Sequence, residues 1–408
     1  MAAETLSVQR ITRHLQERQD AMTRLLSDLV LLESPTEDPL AQVPVFEAIA
    51  EALEEAGMRA EILPGQASGG QLYASRAQRR RRQPVQLMIG HTDTVWPTGT
   101  LAEMPLEIHD GLLRGPGSFD MKGGITQMVF ALETIHALGL EPDVEPVVFL
   151  NSDEEVGSPD SLHKIRRLAR VAERTFVLEP ALGPSGKLKT ARKGGGRFTI
   201  SITGRSAHAG LDPGGGASAI VELSHVIQSL HALNDLERGV TVNVGTIEGG
   251  SRANVVAPTS RAVVDVRVLS HEDAVTVQDQ IARLAPATPG VSLVIEGRMG
   301  RPPMEPTPRN RAVWHVARAA AAALGFELEE ALAGGASDGN ETSQYSATLD
   351  GLGAVGAGAH AAHEHVDLTR MVERTALLTL LLLAESLPSL PEPERQELLA
   401  AGGNHAPR

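Results

Sequence analysis

The chain has 408 residues, a formal net charge of −14 and no cysteine. Without thiols, disulfides, thiolate metal sites and cysteine nucleophiles are excluded, so a transition metal must be held by His, Asp and Glu. The acidic balance argues against nucleic-acid binding, and the composition, 42% hydrophobic and 22% charged, is that of a globular protein of two or three domains.

Met1 to Asp20 is charged and lacks the apolar core of a signal peptide, which predicts a cytoplasmic location. Met22, Leu25, Leu26, Leu29 and Leu32 recur at helical spacing and predict a helix over about 21–32. A second helix is predicted from Val43 to Ala56, stopped by Gly57. The run Arg79–Arg82 lies between two strand signals and reads as an exposed hairpin loop rather than a polyanion site. Val85–Gly90 predicts a strand, and His91 and Asp93 at its end face the same way because they are two residues apart. A carboxylate beside a His is the usual companion of a metal-bound imidazole, although His-x-Asp alone is a weak signal.

Residues 115–124 are glycine-rich and allow close backbone approach to a site. Asp120 in this stretch stands just before a predicted helix, where an N-cap role would also explain it. The apolar run Val147–Leu150 predicts a buried strand that leads directly into Asp153, Glu154 and Glu155. Phe176–Leu178 predicts another strand, ending in Glu179. Ligands of open α/β sheets bind at the carboxyl ends of strands, and three predicted strands each end in a potential ligand. Crowded carboxylates repel one another, so a positive charge belongs among them; a solvated acidic loop is the plain alternative.

Residues 187–197 read as a Gly- and Lys/Arg-rich linker. Strands and helices are then predicted at Phe198–Thr203, Ala217–Leu233, Val240–Ile247, Arg261–Leu269, Glu272–Leu284 and Val291–Glu296. That order, βαββαβ, is the split pattern of a ferredoxin-like domain. The Pro-rich segment Arg301–Arg309 reads as a return linker. Residues 1–190 and 301–408 thus form one domain, and 191–300 are inserted into it.

A helix over 312–324 follows. Gly335-x-Ser337-x-Gly339 matches a nucleophile elbow, and a serine hydrolase using Ser337 is a remote alternative, because no apolar strand runs into it. Gly351-x-Gly353-x-x-Gly356 matches a dinucleotide fingerprint without a following helix. His360, His363 and His365 form the dense His cluster. Neither His-Glu-x-x-His nor His-x-x-Glu-His occurs, which excludes ordinary single-zinc proteases. Leu377–Ala384 is too short to span a bilayer and predicts a buried helix.

The polar groups left over form one set: His91, Asp93, Asp120, Glu154, Glu155, Glu179 and His360. Two His and three carboxylates can hold two zinc ions if one carboxylate bridges them. One further acid is then free to act as a base, and Asp93 orients His91. Glu154 and Glu155 are adjacent and point different ways, so one ligates while the other handles the proton.

These residues sit in an ordered series of motifs: His91-Thr-Asp93-Thr, Gly115-Pro-Gly-x-x-Asp120-x-Lys-Gly-Gly, Asp153-Glu154-Glu155-x-Gly157-Ser, Glu179-Pro, Gly204-x-x-Ala207-His208-Ala-Gly and Asp350-Gly-Leu-Gly…His360. The series resembles the dinuclear zinc exopeptidases and deacylases, a family that includes glutamate carboxypeptidase, aminoacylase, acetylornithine deacetylase and succinyl-diaminopimelate desuccinylase. Gly300-Arg301-Pro302 and Gly334-Gly335-x-Ser337-Asp338 bring it nearest to glutamate carboxypeptidase.

The resemblance implies an α/β catalytic domain, a mixed, mostly parallel sheet sandwiched by helices, with the ferredoxin-like insert as lid and dimerisation domain. It implies two zinc ions per chain, with cobalt or manganese as substitutes. His91, Asp120 and Glu179 would bind one ion, and Asp120, Glu155 and His360 the other. Asp120 would bridge them and be followed by a cis bond. Glu154 would be the general base. His208 would reach the partner's active site as an oxyanion stabiliser, and Asn254, Arg267 and Arg301 would contact substrate. Glu at position 179 is the family's carboxypeptidase and deacylase pattern.

The expected reaction is hydrolysis of an amide or peptide bond next to an amino acid with a free carboxylate, as in glutamate carboxypeptidase. Deacylation of N-acyl amino acids is the alternative. The expected assembly is a homodimer acting on small molecules or short peptides, with no nucleic-acid or membrane partner. The segment after His360 departs from the family pattern in carrying two further imidazoles, His363 and His365.

Overall fold

The computed structural model describes residues 2–77 and 83–387, so the Arg79–Arg82 run lies outside the described residues. The chain divides into two compact units, one of residues 1–190, 306–333 and 337–408, the other of residues 191–305 and 334–336.

The first unit is built on a six-stranded sheet in the order Met58–Leu63, Gln71–Arg76, Glu145–Asn151, Val85–His91, Ala172–Val177, Ala347–Leu349. The last four strands run parallel, and the first two complete the sheet antiparallel. Val85–His91 and Glu145–Asn151 are buried along their whole length, which is why their sequences read as continuous apolar runs rather than alternating ones.

Alternate side chains serve opposite faces. Met88, Val148, Leu150 and Phe176 join the large core with the helices Ala2–Leu31, Pro39–Glu55, Gly123–Ala137, Pro308–Leu324 and Leu368–Leu383. Leu87, Ile89, Val147 and Phe149 pack on the other face with Ile165 of the helix Leu162–Ala169. The result is a mixed, mostly parallel sheet between helices. Among the described residues no helix is long and apolar enough to cross a membrane.

Three local differences from the sequence reading have physical causes. The first helix spans Ala2–Leu31 rather than beginning near residue 21, because Ile11 and Leu15, both fully buried, continue its apolar stripe through a charged stretch. The second begins at Pro39, where the Asp38 carboxylate accepts the N–H groups of Leu40 and Ala41; the first helical position is where Pro is tolerated. Residues 187–197 are not a linker but the strand Leu188–Arg192 and the start of Gly194–Thr203. The glycines there answer crowding: a Cβ on Gly194 would meet Pro303 N at 2.6 Å, and one on Gly196 would meet Met299 Sδ at 2.6 Å.

The second unit has an antiparallel four-stranded sheet in the order Thr241–Gly249, Thr259–Val268, Gly194–Thr203, Ser292–Arg301. With the helices Ala219–His231 and His271–Ala282 it follows the βαββαβ course, and Phe198, Ile200 and Ile202 pack with Leu223, Leu230 and Ile281.

Glu222 is buried in this unit, and its carboxylate accepts the N–H groups of Ala287 and Thr288 at 3.0 and 2.6 Å. Burial pulls this carboxyl upward most strongly, but the hydrogen bonds from Thr288 and Ala287 prevail and hold its pKa below the ordinary value. A depressed carboxyl stabilises the fold above its unfolded pKa, about 4.3, and loses that contribution as pH falls through the folded value. Glu222→Gln is therefore expected to cost about 1–3 kcal/mol at neutral pH. The difference between variant and wild type shrinks in acid, which thermal melts across the pH range check.

Candidate metal centre

The parallel strands deliver their carboxyl ends to one edge. His91 is the last residue of its strand, Glu179 follows Ala172–Val177, and Asn151 hands the chain to the short turn Glu154–Val156. Asp120 lies in the irregular turn Ser118–Lys122, and the Asp120–Met121 bond is cis. Gly117 precedes it at φ +70, where a Cβ would meet Thr94 Cγ2 at 2.5 Å; glycine meets both demands. Lys122, not Asp120, holds the cap position of the next helix. His360 stands at the tip of a hairpin, at φ 60.

Asp120 divides its carboxylate between two imidazoles. Its Oδ1 lies 3.2 Å from His91 Nε2 and its Oδ2 lies 3.4 Å from His360 Nε2. Each imidazole has a second carboxylate of its own: Glu179 Oε1 is 3.6 Å from His91 Nε2, and Glu155 Oε2 is 3.2 Å from His360 Nε2. In each of the groups His91–Asp120–Glu179 and Asp120–Glu155–His360 the candidate ligand atoms all lie within 4.8 Å of one another.

The electrostatics call for positive charge. Burial weighs most on His91 and favours its neutral form, yet Asp120, Asp93 and Glu179 together outweigh it and hold its pKa well above the ordinary value. Asp120 and Glu155 push His360 up to about 10. Burial alone would raise Asp120, but His360 and His91 hold it well below the usual carboxylate range. Glu155 Oε1 is buried with no hydrogen-bond partner, a costly state for an ionised oxygen. Cations between these groups would relieve it. A donor set of imidazole nitrogens and carboxylate oxygens fits zinc and neighbouring divalent ions.

Asp93 is fully buried, but it is its backbone carbonyl, 2.9 Å from His91 Nδ1, that lies nearest the imidazole; its Oδ1 is 3.4 Å away. The carboxylate accepts Thr36 Oγ1 at 2.9 Å and the N–H groups of Glu154 and Glu155 at 3.2 Å. Asp93 thus ties the acidic turn to the His91 strand. Glu154 is half-buried beside Glu155 on that turn.

Ser337 is fully buried; it donates to Asp350 Oδ2 at 2.7 Å and accepts the Gly339 N–H at 3.0 Å. It caps the helix Asp338–Thr342, so the nucleophile-elbow reading is corrected. Gly353 serves packing rather than a dinucleotide: a Cβ there would meet the Leu178 carbonyl oxygen at 2.3 Å. His363 is exposed, its carbonyl 2.9 Å from His365 Nδ1, and neither belongs to a candidate metal group among the described residues.

Sequence reasoning missed two groups. Lys189 Nζ lies 3.7 Å from Glu179 Oε2. Glu364 is fully buried behind Asp120. Its only sequence signal is an acid among histidines.

His208, Asn254, Arg267 and Arg301 belong to the second unit. His208 is exposed, and its Nδ1 accepts the N–H groups of Gly210 and Leu211, both at 3.1 Å. That fixes the proton of the neutral ring on Nε2. Asn254 is exposed, and its carbonyl accepts the Ala209 N–H at 3.0 Å. The Arg267 fork pairs with both Asp265 oxygens, at 2.8 and 3.0 Å. Arg301 is half-buried at the end of its strand.

The M20-type peptidase dimerisation domain matches residues 190–291. The chain is 29% identical over 187 residues to carboxypeptidase G2 of Pseudomonas sp. (strain RS-16), a match covering 46% of this chain and 45% of that one. It is 30% identical over 332 residues to succinyl-diaminopimelate desuccinylase of Azoarcus sp. (strain BH72), covering 74% of this chain and 85% of that one. Among solved structures it resembles the YXEP protein of Bacillus subtilis, a dinuclear metal-binding peptidase of the M20 family, with a TM-score of 0.65, 15% identity, and coverage of 90% of this chain and 98% of that one. On the extent of the desuccinylase match and on this fold, the chain belongs to the M20 peptidase family, a family of metal-dependent peptidases and deacylases.

Proposed function

We propose that the chain is a dinuclear zinc amidohydrolase that releases an amino acid with a free carboxylate, in the manner of a glutamate carboxypeptidase. The observation that supports it most is the Asp120 carboxylate divided between two imidazoles, each with its own second carboxylate. When bound, two divalent ions supply Lewis-acid polarisation of the scissile carbonyl and lower the pKa of a water. His91, Asp120 and Glu179 would hold one ion and Asp120, Glu155 and His360 the other.

Glu154 is the general base in this reading. It takes a proton as the water oxygen bonds to the carbonyl carbon, then gives it to the nitrogen as the C–N bond breaks, leaving an acid and an amine. His208, with its proton on Nε2, donates to the carbonyl oxygen as negative charge develops there. Asp93 holds the turn that carries Glu154. Arg267 and Arg301 receive the substrate carboxylate, the Arg267 fork exchanging Asp265 for it, and Asn254 also contacts substrate. The reading includes a homodimer formed through the inserted unit, with His208 acting in the partner's site, and a cytoplasmic location.

Two expected outcomes test it. A substrate whose free carboxylate is replaced by carboxamide should lose at least about tenfold in kcat/KM, the scale of a charged hydrogen bond; equal values would remove the carboxylate-recognition role of the arginines. Mixing His208→Ala with Glu154→Gln under conditions of subunit exchange should restore part of the activity that each lacks alone. No recovery in exchanged dimers would contradict action in trans. The alternative, deacylation of N-acyl amino acids, uses the same residues and is favoured by the desuccinylase match. Comparing kcat/KM over a panel of dipeptides and N-acyl amino acids separates the two.

A further inference from the structure

The hairpin that presents His360 also buries an acid against the backbone of Asp120. Glu364 is fully buried. Its Oε1 accepts the N–H groups of Phe119 at 2.9 Å and Asp120 at 3.0 Å. Its Oε2 accepts Trp96 Nε1 at 2.8 Å and the Gly117 N–H at 3.0 Å. One carboxylate thus satisfies three amides of a single loop and the indole of the segment that follows Asp93.

The hairpin itself is tightly registered. Gly356 pairs with Val366 and Ala357 with His365. Gly358, at φ +83, lets the chain pass so closely that a Cβ would meet Glu364 N at 2.8 Å. His360 and Glu364 are therefore fixed relative to each other, and both reach Asp120: the imidazole approaches its Oδ2, the carboxylate its main-chain N–H. A residue that is to divide its two oxygens between two partners needs its backbone fixed, since a small rotation would favour one partner.

We propose that Glu364 is a positioning residue for the shared carboxylate. It locks the main chain at 117–120 so that Asp120 faces His91 and His360 at once, and couples that loop to Trp96. The role rests on the metal-centre reading above. It differs from a general packing role in acting on metal binding beyond any effect on folding.

The test uses the full chain, stripped of metal and titrated with cobalt(II), whose visible absorption reports its coordination. Glu364→Gln keeps the size but provides a single acceptor oxygen, and Glu364→Ala provides none. Both should bind cobalt at least about tenfold more weakly than wild type, the scale for losing a group that orients a ligand, with an altered absorption envelope. Circular dichroism of the metal-free variants establishes that the fold is kept. A lower melting temperature with unchanged cobalt affinity and spectrum would overturn the proposal and leave Glu364 a packing residue.

Should neither variant fold, amide exchange in metal-free wild type decides. The Phe119 and Asp120 amides are expected to be protected before metal is added. Rapid exchange there, slowed only by cobalt, would show that the metal orders the loop and Glu364 does not. If wild type itself binds no cobalt, the metal-centre reading fails and the proposal falls with it. Tight binding by wild type with equal binding by the variants removes this proposal alone.

Discussion

Glu154→Gln is expected to lower kcat by about 10²–10⁴-fold, the usual contribution of a positioned acid or base, while the bound metal stays at the wild-type level. The amide keeps the size and hydrogen-bonding capacity of the side chain and removes its basic oxygen. Glu155→Gln should behave differently. Glu155 Oε2 faces His360 and its Oε1 is buried without a partner, so the missing charge is felt as weaker metal binding. Excess zinc should then return part of the activity. Metal analysis with steady-state kinetics on both variants checks the pair. Metal lost from the Glu154 variant and kept by the Glu155 variant would mean that the two roles are exchanged.

Asp120→Asn is expected to have the larger effect on metal. Its two oxygens face different imidazoles at 3.2 and 3.4 Å, so an amide nitrogen in place of either oxygen removes an acceptor from one side and the negative charge from both. Affinity for both ions should fall by more than the about 10–100-fold that loss of an orienting partner costs. Glu179→Gln should weaken the His91 side alone. Calorimetric zinc titrations of the two variants provide the comparison. Loss of a single ion from Asp120→Asn, with the other bound at wild-type affinity, would show that this carboxylate does not bridge.

Much of the centre was legible in sequence because strand ends are legible. Val85–Gly90, Val147–Leu150 and Phe176–Leu178 are apolar runs that stop at polar residues, and a sheet with parallel strands delivers such ends to one edge. The second unit was legible because its strands alternate: Phe198, Ile200 and Ile202 face the core while the residues between them do not. The first helix was half missed because Ile11 and Leu15, though one helical turn apart, are set among charged residues. The glycines after Lys193 looked like a linker because composition does not reveal Pro303 or Met299 pressing on them from a segment far along the chain.

The same limit applied at the site. That Asp93 offers His91 its carbonyl more closely than its carboxylate depends on backbone direction, which residue spacing does not encode. Glu364 was hidden because its partners are main-chain N–H groups 244 to 247 positions away and an indole 268 away. Amides carry no sequence signature. Ser337 had the reverse problem: its glycine neighbours mimic a nucleophile elbow, and only its burial and its bonds to Asp350 and Gly339 reveal a helix cap.

The central claim is that two divalent ions share Asp120 and that hydrolysis depends on them. The most direct measurement strips the purified chain with a chelator and returns zinc in steps, following bound metal by mass spectrometry and amide hydrolysis in the same samples. The account predicts saturation at two ions per chain, with hydrolysis abolished in the stripped protein and restored as the ions return. Hydrolysis that persists in fully stripped protein, or saturation at a single ion with full activity, would contradict it.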